Sequence, residues 1–274
     1  MSKPLGLAHL SALDLAPPQL VRSAAEVGFS SVGIRLVAVN DTTPGYPLMH
    51  QPQQLRETLI ALKDTGITVN DVEFIKFDPE IDIPALQPIV DVAAELDARN
   101  IIVAPYDEDF SRLGANLARF SEMAQQSGIR VALEFFPWTP VNDLQCCWDL
   151  VSQASDRLAI LLDSLHFNRS HSSLELLKTI PADRLPFAQL CDAPVQPSYT
   201  FEELIYAGRD ERLAPGLGEI PLADIVRALP AETPISLEVP QLAKTAEWGE
   251  KAVLKELFRE SQNFFLLQAQ TCVR

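Results

Sequence analysis

The chain has 274 residues, 47% of them hydrophobic, which suffices for one large core; β/α barrels of this length commonly form a single domain. Its 37 acidic residues against 22 basic ones give a formal charge of −15, so a polyphosphate backbone is repelled and nucleic acid is excluded as an expected partner. The opening MSKPLGLAHLSALDLAPPQL lacks the basic start, apolar run and cleavage site of a secretory signal, and no stretch approaches the ~18 apolar residues of a membrane span. The expectation is a soluble, cytoplasmic protein with no membrane partner.

Short apolar runs alternate with longer amphipathic ones from the start of the chain. The first strand is expected over 6–10, and a helix over 18–27 follows it, closed by Gly28. Further strands are expected over 31–36, 67–74, 100–104, 130–135, 158–162, 186–191 and 234–239, each followed by a helical segment. In SGIRVALEFFPW a glycine ends one helix and an apolar strand begins, and DRLAILLDSLHF repeats that syntax.

Consecutive strands recur roughly every 25 to 50 residues, as right-handed parallel β-α-β units require. Eight units fit a closed (β/α)8 TIM barrel better than an open doubly wound sheet, because SALDLAPP after the first strand is no glycine-rich phosphate loop. No linker or composition shift divides the chain, so residues 1–274 read as one domain. The longest insertion, 193–220, lies between the seventh strand and its helix and is expected over the barrel mouth. The final helix is expected over 246–267, with an apolar face that suits either packing on the last strand or a homo-oligomer.

Cys146, Cys147, Cys191 and Cys272 show no C-x-x-C spacing, and the adjacent pair cannot form a relaxed disulfide, so reduced thiols are expected.

Chemistry in a β/α barrel sits at the carboxyl ends of the strands. The fifth to eighth strands end in Glu134 (VALEF), Asp163 (ILLDSLH), Gln189 (FAQLCD) and Glu238 (ISLEVP), bringing three carboxylates and an amide oxygen together. A single strand-end carboxylate is commonly a helix cap or an ion-pair partner. Carboxylates crowded on successive strands repel and lose solvation, and a cation among them relieves both. The all-oxygen donor set suits one divalent metal ion, Mn2+ or Mg2+ first, with Co2+ and Zn2+ as weaker fits.

Arg35, at the end of the second strand, and Arg212, in the loop leading to Pro-Gly-Leu-Gly, are candidates to bind a substrate carboxylate or phosphate through bidentate bonds. Trp138 is a candidate apolar wall for a sugar face. His9, His50 and His171 read as ordinary surface or loop residues.

LEFFPW, LLDSLHFNR, QLCDAP, RLAPGLGEIPL and SLEV together resemble the xylose-isomerase-like TIM barrel superfamily of sugar phosphate isomerases and epimerases. That resemblance implies metal ligation by Glu134, Asp163, Gln189 and Glu238, and a substrate-side role for His166. Many relatives carry His at the position of Gln189, whereas the hydroxypyruvate isomerase and dehydroshikimate dehydratase branches resemble this chain in having Gln.

The expected activity is a metal-dependent sugar or sugar phosphate isomerisation or epimerisation through an enediolate, with Glu134 and Glu238 as the catalytic acid/base pair. A dehydroshikimate-type dehydratase is the alternative enzyme, and a non-catalytic metal- or sugar-binding barrel the alternative of a different class. The expected partner is a small sugar, keto acid or cyclic keto acid. The apurinic endonucleases of the superfamily build a three-zinc cluster from many histidines, and this chain has four in all.

Overall fold

A computed structural model describes residues 3–40 and 43–271, so Cys272 lies outside the described residues. Eight strands form: β1 (Leu5–Leu7), β2 (Ser31–Ile34), β3 (Thr68–Phe77), β4 (Asn100–Pro105), β5 (Arg130–Glu134), β6 (Ala159–Asp163), β7 (Ala188–Leu190) and β8 (Ile235–Leu237). Each pairs in parallel with the next, and β8 returns to β1 in the register Leu5↔Ile235 to Leu7↔Leu237, closing the (β/α)8 barrel.

The first connecting helix, Pro17–Val27, starts on two prolines that need no amide partner there and ends at Gly28, whose φ of 114° lets its N–H bond to the Ala24 carbonyl. Leu20, Val21 and Ala24 on its inner face are fully buried. This is the amphipathic stripe that a helix covering a parallel sheet needs.

The final helical region differs from the single helix expected. Gly249, at φ 78°, interrupts it, giving one helix over Leu242–Trp248 and another over Glu250–Thr271. Val253, Leu254 and Leu257 of the second helix are buried, and Phe258 meets Phe29 edge to face at 5.0 Å. The first strand is also shorter than expected, because residues His9–Ala12 turn into a 3-10 segment.

Side-chain parity along each strand decides what enters the barrel. Val131 and Leu133 of β5, Ile160 and Leu162 of β6, and Leu190 of β7 join the large core between sheet and helices, whereas Ala132, Ala159, Leu161 and Phe187 form a small separate cluster with Ile102. That small cluster is the interior of the barrel, where successive strands contribute alternate residues. Glu134, Asp163 and Gln189 each stand two positions beyond one of its members, so the strand's period of two places all three inside at the carboxyl end. The same face of β8 carries Ser236 and then Glu238.

Among the described residues no helix is long and apolar enough to cross a membrane. Cys146, Cys147 and Cys191 are free thiols, and the last two are buried.

Candidate functional site

A cavity of about 440 Å³ opens at the carboxyl end of the barrel, lined by Arg35, Glu134, Trp138, His166, Arg212 and Glu238 among others. A volume of that order suits a small metabolite. The insertion contributes its mouth through the helix Phe201–Arg209, where Ile205, Gly208 and Arg209 also line the cavity.

Glu134, Asp163, Gln189 and Glu238 are all buried there. Asp163 also does what a strand-end carboxylate commonly does: its Oδ1 accepts from the N–H groups of Leu165 and His166 at 2.7 and 3.0 Å, capping the short helix Ser164–Arg169. Its Oδ2 meets Arg212 Nη1 at 2.7 Å, and Arg212 Nη2 meets Glu238 Oε2 at 2.9 Å. One guanidinium therefore bridges two of the four strand-end groups.

Burial, together with the nearby charges of Glu238 and Asp163, pushes the Glu134 carboxyl well above the usual carboxylate range. Burial pushes Glu238 up to about 8, against the pull of Arg212. Burial would raise Asp163 too, but Arg212 and His166 outweigh it and hold that carboxyl below its ordinary value.

His166 is 1% exposed and places Nε2 3.6 Å from Glu134 Oε1. Among the described residues Glu134, Asp163 and His166 form a group whose candidate ligand atoms lie within 4.8 Å of one another. Burial lowers the imidazole to about 4, so it is neutral near pH 7. Its ring sits edge-on against Phe136 and Trp138, at 4.6 and 5.1 Å between centroids. Phe74 extends this aromatic wall, 5.6 Å from Phe136.

Phe74 reaches the wall from a left-handed backbone conformation, φ 58°, beside a register shift in the pairing of β3 with β4. An L-residue there carries about 1–2 kcal/mol of strain. An unperturbed strand period does not reveal this conformation.

A second polar cluster lies on β1 to β3 and was not legible as a site. Asp71 and Glu73 are buried on the interior face of β3, and Arg35 Nη2 reaches Glu73 Oε2 at 3.0 Å. His9, expected at the surface, is fully buried: Nδ1 accepts from the Arg35 N–H at 2.9 Å, and Nε2 donates to the Leu15 carbonyl at 2.9 Å. That pattern demands a neutral ring, and burial accordingly lowers its pKa to about 3. The backbone N–H of His9 donates to Glu73 as well.

Gly33 of β2 makes room for the two acids, since a Cβ there would stand 2.6 Å from Asp71 Oδ1 and 2.8 Å from Glu73 Oε1. Burial, with the Glu73 charge next, raises Asp71 to about 7. The D-x-E spacing in VNDVEF was the available signal, because it puts two carboxyls on one strand face.

These shifts fix a pH dependence. Between pH 6.5 and 8 His9 and His166 are already neutral in the folded protein and lose their remaining protons in the unfolded one, while the folded protein still holds protons on Asp71, at about 7, and Glu238, at about 8, far above their unfolded values. The folded state then binds more protons, so the stability of the metal-free protein falls as pH rises from 6.5 to 8. Thermal melts across that window check it; a melting temperature that rises contradicts the shifts.

Asp192 organises the loop that carries Arg212. Its Oδ1 accepts from Ala193 and Ile220 N–H at 2.9 and 3.0 Å, and its Oδ2 from Gly216 N–H at 3.0 Å. Gly218 is required at this crossing, since a Cβ would lie 2.4 Å from Asp192 Oδ1 and 2.6 Å from the Ala193 nitrogen. Gly216, at φ 88°, makes the turn.

Residues 21–258 match the family model described as xylose isomerase-like TIM barrel. The chain belongs to this family. The 3-dehydroshikimate dehydratase of Pseudomonas putida is 31% identical over 129 residues, which are 45% of this chain and 20% of that protein. The inosose isomerase of Bacillus subtilis is 28% identical over 116 residues, 41% of this chain and 40% of that protein. The matches thus span well under half the length of these curated relatives. A crystal structure of IolI protein with a bound zinc atom superposes with a TM-score of 0.77 at 18% identity, covering 99% of both chains. The likeness in that case is one of fold.

The xylose isomerase-like barrel described here has the donor set for a divalent ion. Gln189 is consistent with that fit: Oε1 and Nε2 are both buried, and neither has a hydrogen-bond partner among the described residues. A buried amide oxygen without a donor is costly, and a cation completes it. Around the cavity the buried carboxyls Asp71, Glu73, Glu134, Asp163 and Glu238 also outnumber the buried Arg35 and Arg212, an acidic excess that a dication would offset.

Proposed function

We propose that this chain is a divalent-metal-dependent isomerase or epimerase that removes the proton beside a carbonyl of a small hydroxylated keto compound and returns it to the product. The supporting observation is the convergence of three buried carboxyls and the unpartnered Gln189 amide under an aromatic-walled cavity. Glu134, Asp163, Gln189 and Glu238 would hold the ion. When bound there, Mn2+ or Mg2+ supplies Lewis-acid polarisation of a substrate carbonyl.

The remaining steps belong to the side chains. Glu134 and Glu238 come from different strands and both line the cavity, so one can take a proton while the other returns one. His166, neutral and pinned between Phe136 and Trp138, steadies a substrate oxygen. The aromatic wall excludes water from the carbanionic carbon. Arg35 lines the same cavity, and its Nε has no partner among the described residues, so it suits an anionic end of the substrate.

Arg35→Met is expected to raise KM for an anionic substrate by about tenfold or more with a smaller change in kcat, since a charge-assisted hydrogen bond contributes about 1.5–3 kcal/mol. Steady-state kinetics read the split; an unchanged KM removes Arg35 from substrate binding.

A second reading is favoured by the aromatic wall of Phe74, Phe136 and Trp138 and by the curated dehydratase relatives. In it the same base removes an α-proton from a cyclic keto acid, a cavity acid assists the departing hydroxyl, and Arg35 holds the carboxylate. One assay separates the readings: the purified protein in heavy water with Mn2+ or Mg2+, offered small ketoses, hydroxypyruvate and dehydroshikimate. Deuterium in recovered ketose or hydroxypyruvate supports the isomerase, and an aromatic acid formed from dehydroshikimate supports the dehydratase. Metal binding without turnover of any of them supports a non-catalytic barrel.

A further inference from the structure

Arg212 sits where a substrate clamp is expected, yet its surroundings suit a different task. A guanidinium has five N–H donors. Here Nε donates to the Ala207 carbonyl at 3.2 Å, Nη1 to Asp163 Oδ2 at 2.7 Å and to the Glu238 carbonyl at 3.2 Å, and Nη2 to the Gly208 carbonyl at 2.8 Å and to Glu238 Oε2 at 2.9 Å. All five are used, and the residue is 2% exposed. Its main chain is held as well: its N–H bonds to the Pro240 carbonyl at 2.9 Å, and its carbonyl accepts from Gln241 at 3.0 Å.

We propose that Arg212 is a positioning residue for the metal centre, fixing one oxygen of Asp163 and one of Glu238 so that both carboxylates present themselves to the ion, and that it does not bind substrate. This rests on the metal-dependent reading above. Three of its six polar contacts, the sixth being Nη1 to Cys191 Sγ at 3.5 Å, go to backbone carbonyls, so the guanidinium is anchored by the chain independently of any ion and stays in place when one binds. Lysine cannot replace it, because one ammonium with three donors cannot span two carboxylates and three carbonyls. Arg35, with an unpartnered Nε, is the cavity arginine left to meet an anion.

The test is Mn2+ affinity by competition with a chromophoric chelator, together with the visible spectrum of the Co2+-loaded protein, for wild type, Arg212→Lys and Arg212→Gln. Outer partners of metal ligands typically contribute about 10–100-fold in affinity, and both variants are expected to lose that much and to show a shifted Co2+ spectrum. Wild-type affinity and an unchanged spectrum, with only KM raised, overturn the proposal in favour of a substrate clamp. Should the variants misfold, hydrogen exchange on the wild type decides: equal protection of residues 207–212 with and without Mn2+ supports a permanent frame, and altered protection overturns it. No divalent-ion binding by the wild type would instead overturn the metal reading itself.

Discussion

Glu134→Gln and Glu238→Gln are each expected to lower kcat by about 10²–10⁴-fold, the usual contribution of a positioned general acid or base, while substrate affinity changes far less. The substitution is informative because Gln189 already places an amide in the same ring of strand-end groups, two positions beyond the interior Phe187. An amide oxygen at 134 or 238 keeps the shape and an oxygen donor, and at 238 it can still accept from Arg212. What it loses is the ability to exchange a proton. Stopped assays on the two variants, with Mn2+ affinity measured alongside, check this. Near-normal turnover in both would remove them from the chemistry.

Removal of divalent metal has the second large expected effect. After exhaustive chelation activity falls to background, and Mn2+ or Mg2+ restores it. Stability follows by mass action: an ion at about 100 times its dissociation constant adds about 2.7 kcal/mol to the unfolding free energy, read as a higher melting temperature. The buried acids give the response a second signature. Raised by burial in the metal-free protein, Glu134 and Glu238 would ionise on ligation, so the ion should reduce the loss of stability expected between pH 6.5 and 8. A melting temperature indifferent to Mn2+, Mg2+, Co2+ and Zn2+ would contradict the metal centre.

Both experiments address residues that the sequence singles out, and the reason is geometric. In a parallel strand the side-chain period is two, so an acid or amide that follows an interior apolar residue at that spacing must share its face. Glu134 after Ala132, Asp163 after Leu161 and Gln189 after Phe187 obey this rule, and the barrel follows from the recurrence of strand, helix and helix-ending glycine. Local pattern carries that information, because backbone parity and helix capping are decided by neighbours a few residues away.

Contacts between distant segments were beyond its reach. His9 reads as a loop residue until the barrel closes and wedges it between the Arg35 backbone and the Leu15 carbonyl. The spacing of Asp71 and Glu73 puts them on one strand face, but their burial shows only once Gly33 of the neighbouring strand is seen to open space for both. Phe74 gains its left-handed conformation where β3 shifts register against β4.

Arg212 marks the division most sharply. A loop arginine before Pro-Gly-Leu-Gly looks free to clamp an anion, and only the fold brings Asp163, 49 residues earlier, within 2.7 Å of it. By itself the sequence determined the (β/α)8 architecture, the family and the four strand-end groups, through short-range periodicity and motif. The tertiary structure decided which charges are paired, which histidines are neutral and which arginine is spent, because pairing and desolvation depend on what the closed barrel brings together.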